Sequence, residues 1–119
     1  MSSPVVIDPE AIASLRALNP GDHDEFLREL IGIFAEDVPK RIAELEQSLA
    51  AGDTGKFTRA AHSIKGGSSN LGAAALRDVA AQLELRSKQE GLAGVAPLLA
   101  SLKVECTRAQ SELAKLVST

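Results

Sequence analysis

The sequence contains no Trp and no Tyr, and three Phe supply its whole aromatic content, 3% of 119 residues. Because 45% of the residues are nonetheless hydrophobic, the core has to be assembled from Leu, Ile, Val and Ala. The length suits one domain over residues 1–119. Cysteine occurs once, at Cys106. That excludes an intramolecular disulfide and fits a reducing compartment, and Cys106 itself reads as a small buried helix residue. No run of about 18 apolar residues is present, so a membrane-spanning helix is not expected. The opening MSSPVVIDPE has no basic segment followed by an apolar one, which argues against a secretory signal. Net charge is −3 without any long basic run, so nucleic acid is not expected as a partner. These absences together describe a soluble, cytoplasmic chain. Alternating apolar runs and Asn-Gly turns are also missing, so strands are not indicated.

Helix signals are abundant. Asp8 followed by Pro9 reads as an N-cap with proline at the first helical position, opening a short helix to about Leu18. Asn19-Pro20-Gly21-Asp22 is a turn cluster. From Asp22 to Ala50, the residues Leu27, Ile31, Phe34, Val38, Ile42, Leu45 and Leu49 recur at steps of three and four, one face of a long helix. Pro39 interrupts this run and should kink or loosen it rather than end it, since the periodicity continues beyond. Gly52-Asp53 pairs a stop with a new N-cap. A third helix is expected over Thr54 to Asn70. A fourth is expected over Ala73 to Gln89, with Leu76, Val79, Ala80, Leu83 and Arg86 on one side. After a break at Gly91 to Gly94, a fifth should run from Val95 to Val117, marked by Leu98, Leu102, Glu105, Leu113 and Leu116, with Pro97 in its first turn. The expected fold is all-α: an antiparallel up-down four-helix bundle, its short extra N-terminal helix capping one end.

The third helix holds the unusual composition, AHSIKGGSSNLGA from Ala61 to Ala73. Each interior glycine costs a helix about 1 kcal/mol relative to Ala, so two adjacent ones need a compensating use. Phe57, Ala61, Ile64, Ser68 and Leu71 form the core row. His62 lies two residues from Ile64, about 200° around the helix, and so points to solvent. Thr58, Arg59, Lys65, Gly66 and Ser69 share its face. Gly66 leaves bare surface beside the imidazole where another protein could approach closely, and Gly67 opens an adjacent strip. His23, near a helix start, has no such company and reads as solvated surface.

Several chemistries fail on this stretch. His62 has no His, Cys, Asp or Glu three or four residues away, which removes a helical metal site. Gly67 to Gly72 has the spacing of a phosphate loop, but Ala73 and Ala74 stand where Lys and Ser/Thr are needed. Gly66-x-Ser68 ends in Asn70 instead of the second glycine of a nucleophile elbow. What remains is the imidazole as nucleophile. An exposed imidazole is in general largely unprotonated at neutral pH, with a reference value of about 6.5, and can attack an electrophilic phosphorus. The product would carry close to −2 charge, which Lys65 and Arg59 could screen while Ser69 donates a hydrogen bond. No binding pocket is encoded in the motif, so the donor should be a protein presenting its own active site.

His62-x-x-Lys65-Gly66-Gly67-Ser68-Ser69-x-x-Gly72-Ala73 resembles the signature of histidine-containing phosphotransfer (HPt) domains, close to His-x-x-Lys-Gly-Ser-Ser/Ala-x-x-x-Gly. Phe26-Leu27-x-x-Leu30-Ile31-x-x-Phe34 with Asp37, Pro39 and Arg41-Ile42, then Gly52-Asp53 and Leu83-Glu84, extend the likeness over most of the chain. The resemblance implies a helical bundle without kinase activity. In it, His62 would accept a phosphoryl group from the aspartate of one receiver domain and pass it to another response-regulator receiver, with a hybrid sensor histidine kinase upstream. It also implies that Lys65 supports the phosphoryl group, that Gly66 leaves room for the receiver and that Gly72 ends or bends the helix. Lys88 stands where some relatives place a cation. No cofactor is needed, Mg²⁺ being expected only in the receiver. Gly67 departs from the pattern by removing a hydroxyl.

A receiver needs an apolar patch with polar surroundings. Phe26, Leu30, Ile33 and Asp37 form a row beside the core row of the second helix, which Ile12 and Leu15 could join. Ile33 is the most solvent-facing of them, the others competing for places in the core. The alternative function is a receiver- or kinase-binding bundle without phosphotransfer. A hydrolase using Ser68 or Ser69 lacks a partner base. The starting Met and plain ends suggest a free-standing protein, and no dimerisation segment is evident, so a monomer is expected.

Overall fold

The computed structural model describes residues 5–117; the first four residues, on which the reading of the N-terminus partly rests, and the last two lie outside the described residues. Five helices follow in order: α1 (Pro9–Leu18), α2 (Glu25–Ala51), α3 (Thr54–Asn70), α4 (Ala74–Glu90) and α5 (Ala96–Val117). No strand occurs among the described residues. None of these helices is long and apolar enough to cross a membrane.

The capping residues set the boundaries. The Asp8 carboxylate accepts the Glu10 N–H at 3.0 Å with Pro9 at the start of α1. Gly52, at φ 71°, ends α2 in the left-handed conformation, and the Asp53 side chain then accepts the Lys56 N–H to begin α3. The start of α2 differs from expectation by three residues. Asp22 does cap it, accepting the N–H groups of Asp24 and Phe26 at 3.0 and 3.1 Å. His23 and Asp24, however, have φ of 56° and 64°, so the helix can begin only at Glu25. This left-handed pair is held by Arg16, whose guanidinium forks onto both Asp24 oxygens at 3.0 Å, and by Arg28, which donates to the His23 carbonyl. Helix α2 runs unbroken through Pro39. Both Pro39 and Ala35, whose carbonyl loses its helical partner there, lie on the exposed side, where water can take the missing donor's place.

Helix α3 packs on α2 and α4, while α5 closes the bundle against α4 and α2. Connections as short as Gly52-Asp53 and Leu71-Gly72-Ala73 make successive helices antiparallel. The core is built of Leu27, Phe34, Val38 and Leu45 from α2, Phe57, Ala61 and Ile64 from α3, Leu76, Ala80 and Leu83 from α4, and Leu99, Leu102, Cys106 and Leu113 from α5. The α3 row Phe57, Ala61, Ile64, Ser68 and Leu71 is buried as its spacing indicates. On α4 the stripe continues not through Arg86, which is exposed, but through Glu84 and Ser87. On α5 it runs through Leu99, Leu102, Cys106, Ala109 and Leu113, leaving Leu98, Glu105 and Leu116 at its half-buried margin.

Helix α1 caps the end of the bundle where α3 turns into α4. The Asp8 N–H donates to the Gly72 carbonyl at 2.8 Å, the Ala75 N–H donates to the Val5 carbonyl at 3.0 Å, and Arg16 reaches the Leu116 carbonyl at 3.3 Å. Gly72 has φ 69°, and a Cβ on it would lie 2.5 Å from the Ala11 Cβ. A Cβ on Gly66, in contrast, would meet nothing within 4 Å. The two glycines should therefore respond oppositely in equilibrium chemical denaturation. Gly72→Ala should lose at least about 2 kcal/mol, from left-handed strain and displacement of α1. Gly66→Ala should gain about 1 kcal/mol, the ordinary helix-interior difference.

Candidate functional site

Helices α3 and α4 share the most extensive contact in the molecule, and polar residues set their register. Ser87 Oγ donates to the Glu84 carbonyl at 3.0 Å, which makes Thr58 Oγ1 the donor in the 2.7 Å bond between Thr58 and Ser87. This cross-link brings Glu84 of α4 opposite the outward face of α3. The Glu84 side chain is only 9% exposed, yet it meets three cationic or ionisable groups. Oε2 lies 2.8 Å from His62 Nδ1, Oε1 lies 2.5 Å from Lys65 Nζ, and Lys88 Nζ is 3.8 Å from Oε2.

Burial pushes the Glu84 carboxyl up, but the hydrogen bonds from Lys65 and His62, reinforced by their charges, outweigh it and hold it below the usual Glu value. Glu84 is thus ionised at neutral pH and can only accept hydrogen bonds. The proton in the 2.8 Å contact therefore sits on His62 Nδ1. A neutral imidazole with Nδ1–H carries its lone pair on Nε2. The His62 side chain is 65% exposed, so this nitrogen is available from solution while the other is engaged inward.

His62, Lys65 and Lys88 are thus brought together, through a residue that spacing within α3 could not supply. Gly66 leaves open surface one turn from His62. Ser69 does not stand ready as a donor, because its Oγ already donates to the Lys65 carbonyl at 2.9 Å. Arg59 is likewise not gathered in: its guanidinium lies 3.4 Å from the position of a Cβ on Gly55, toward the start of α3 and away from His62. Ser68 is buried and donates to the Ile64 carbonyl at 2.6 Å, a helix back-bond that leaves no free nucleophile. Among the described residues, no three His, Cys, Asp or Glu side chains come together in a way that could hold a metal ion.

Of the apolar docking candidates, Ile33 is 64% exposed. Leu30 and Phe26 are half-buried, and Asp37 pairs with Arg41 at 3.3 Å. Ile12 has to be withdrawn: at 3% exposure it belongs to the core, where α1 closes the bundle end. Leu15 is half-buried against that core. Gly67 faces α2, its missing Cβ about 4.0 Å from Phe34 Cδ1, and borders a small cavity of about 100 Å³ whose mouth includes Leu30, Ile33 and Ser63.

The residue missed in the sequence is Glu84. Continuing the steps Leu76, Ala80, Leu83 by four and three from Ala80 gives Glu84 and Ser87, not Arg86. A carboxylate inside an apolar stripe is the signal that a cationic partner waits on the neighbouring helix.

Known proteins share the family and the fold. The Hpt domain family model matches residues 29–116. The crystal structure of histidine-containing phosphotransfer protein B (HptB) from Pseudomonas aeruginosa PAO1 is 29% identical, with a TM-score of 0.85 over 98% of this chain and 96% of that one. The HPT domain of an Hpt sensor hybrid histidine kinase from Shewanella shares the fold at 15% identity, with a TM-score of 0.75 over 95% of this chain and 94% of that one. No match is found among curated proteins. The chain is a member of the Hpt domain family.

Proposed function

We propose that His62 is the phosphoacceptor of this Hpt domain, taking a phosphoryl group on Nε2 from the aspartyl phosphate of one receiver domain and giving it to the aspartate of another. Histidine phosphotransfer in a phosphorelay is the role the family carries. The observation that supports assigning it to His62 is the Nδ1–H bond to buried Glu84 on a ring that is otherwise exposed. It leaves one nitrogen, in one tautomer, as nucleophile without any induced change in the bundle.

The chain's own residues do little beyond presentation. Lys65 and Lys88 supply positive charge beside a group that gains close to −2 on phosphorylation. Gly66 lets the receiver's backbone and aspartate come near. The acid pocket and Mg²⁺ of the reaction reside in the receiver, and the chain needs no cofactor and has no kinase activity of its own. The receiver would rest on the exposed part of α2 around Ile33 and Leu30. An apolar surface there with Asp37 and Arg41 at its edge has the composition of an interface core and rim.

Incubation with a phosphorylated receiver domain, following the label, tests this directly. Wild type should acquire label and His62→Gln none; label on the variant would remove His62 as acceptor, and label on neither would favour binding without transfer. Ile33→Glu should keep the fold by circular dichroism and weaken receiver affinity by about tenfold, on the order of 1.4 kcal/mol. Unchanged affinity would take Ile33 off the docking surface.

A further inference from the structure

We propose that Glu84 is a positioning residue whose negative charge, beyond its hydrogen-bonding oxygen, keeps the phosphorylated His62 ring protonated at Nδ1 and so keeps the phosphoryl group transferable across the neutral pH range. The inference rests on the reading of His62 as phosphoacceptor and extends it to the state of the ring between the two transfers.

In the incoming step the Nε2 lone pair forms an N–P bond while the P–O bond to the donor aspartate breaks, and the aspartate leaves as a carboxylate. No proton moves. The ring still carries Nδ1–H and now has a bond at Nε2, so it is positively charged. In the outgoing step a carboxylate oxygen of the acceptor forms the new P–O bond, the N–P bond breaks, and its electron pair returns to Nε2, releasing neutral imidazole. If Nδ1 lost its proton to solvent in between, the same cleavage would have to expel an imidazolide anion, a far poorer leaving group. The phosphoryl group would then be stranded.

The structure places a carboxylate where it opposes that loss. Glu84 Oε2 is 2.8 Å from Nδ1, and the side chain is 9% exposed, so its field on the ring is weakly screened by solvent. The other charged groups facing the pair are Lys65 from α3 and Lys88 from α4, both cationic. By themselves these would drive a proton off a neighbouring imidazolium. Thr58 and Ser87 alongside are neutral. Glu84 is therefore the group that reverses the sign of the local field at Nδ1. In the unphosphorylated protein its charge is balanced by Lys65. Once the ring is cationic it can balance Glu84 itself, and Lys65 becomes free to turn toward the phosphoryl oxygens.

Glu84→Gln separates charge from shape, because the amide keeps the volume and offers an oxygen to Nδ1–H. Wild type and variant are phosphorylated by a labelled receiver domain, then mixed with excess unphosphorylated receiver, and loss of label is timed across the neutral range from about pH 6 to pH 8.5. Receiver and Mg²⁺ effects are common to both proteins, so the ratio of their rates isolates Glu84. The ratio should be near one at the acid end, with the variant about tenfold slower at the alkaline end, because a ring that titrates about one unit below the working pH is only about one-tenth protonated while the wild-type ring stays protonated. A ratio that stays constant with pH, whether the variant is slow or not, would overturn the proposal and leave Glu84 a structural role only. Phosphorus NMR of phosphorylated wild type gives a readout independent of the variant's folding. No titration step should appear in that range, and a step like that of free phosphohistidine would overturn the proposal. Failure of wild type to take label at all would contradict the phosphoacceptor reading itself, a distinct result.

Discussion

A carboxylate nearly shielded from water in a bundle of leucine and alanine has to be met by donors, because burying an ion without partners costs several kcal/mol. Glu84 meets this requirement by reaching from α4 to α3, where Nδ1 of His62 and Nζ of Lys65 lie on the same outward face. The compensation runs in both directions. The donors stabilise the buried charge, and the buried charge fixes the tautomer of an imidazole that would otherwise rotate freely on an exposed helix surface. Lys65 and His62 stand three residues apart, so one carboxylate can hold both. The reactive geometry is thus a by-product of satisfying one buried charge.

The rest of the fold serves that contact. Small buried residues of α3 and α4, among them Ala60, Ala61 and Ala80, permit close approach of the two helices. The Thr58–Ser87 hydrogen bond sets their register. Gly72 turns the chain sharply enough to return α4 along α3, and α1 seals that turn by occupying the space a side chain there would need. The three glycines from Gly66 to Gly72 divide by use. Gly72 is required by backbone conformation and packing, Gly67 borders a small cavity against α2, and Gly66 touches nothing inside the molecule. Only the last is left to be explained from outside, by a partner that approaches His62.

Helix positions were legible in the sequence because capping chemistry is local. Asp8-Pro9, Gly52-Asp53 and the α3 row of Phe57, Ala61, Ile64 and Leu71 each report on interactions within a few residues. The outward direction of His62 follows from the same periodicity. Sequence and structure part where a residue's environment depends on a distant element. His23 and Asp24 delay α2 through left-handed conformations held by Arg16 and Arg28, which no local preference announces. Ile12 sits on an amphipathic face whose burial depends on α1 closing the bundle end. Glu84 could not be paired with His62 from helical spacing, since the two are 22 residues apart, and Arg59 and Ser69 share a face with His62 while their polar groups are turned elsewhere.

The reactivity of His62 depends on its ring being held as a single tautomer with its lone pair on the exposed nitrogen. Nitrogen-15 NMR of the His62 side chain in the unphosphorylated protein measures this directly. In the neutral form of the ring, Nδ1 should show the shift and proton coupling of a protonated ring nitrogen, and Nε2 those of a bare one. The reverse assignment, or averaged shifts from a ring exchanging between tautomers, would contradict the account.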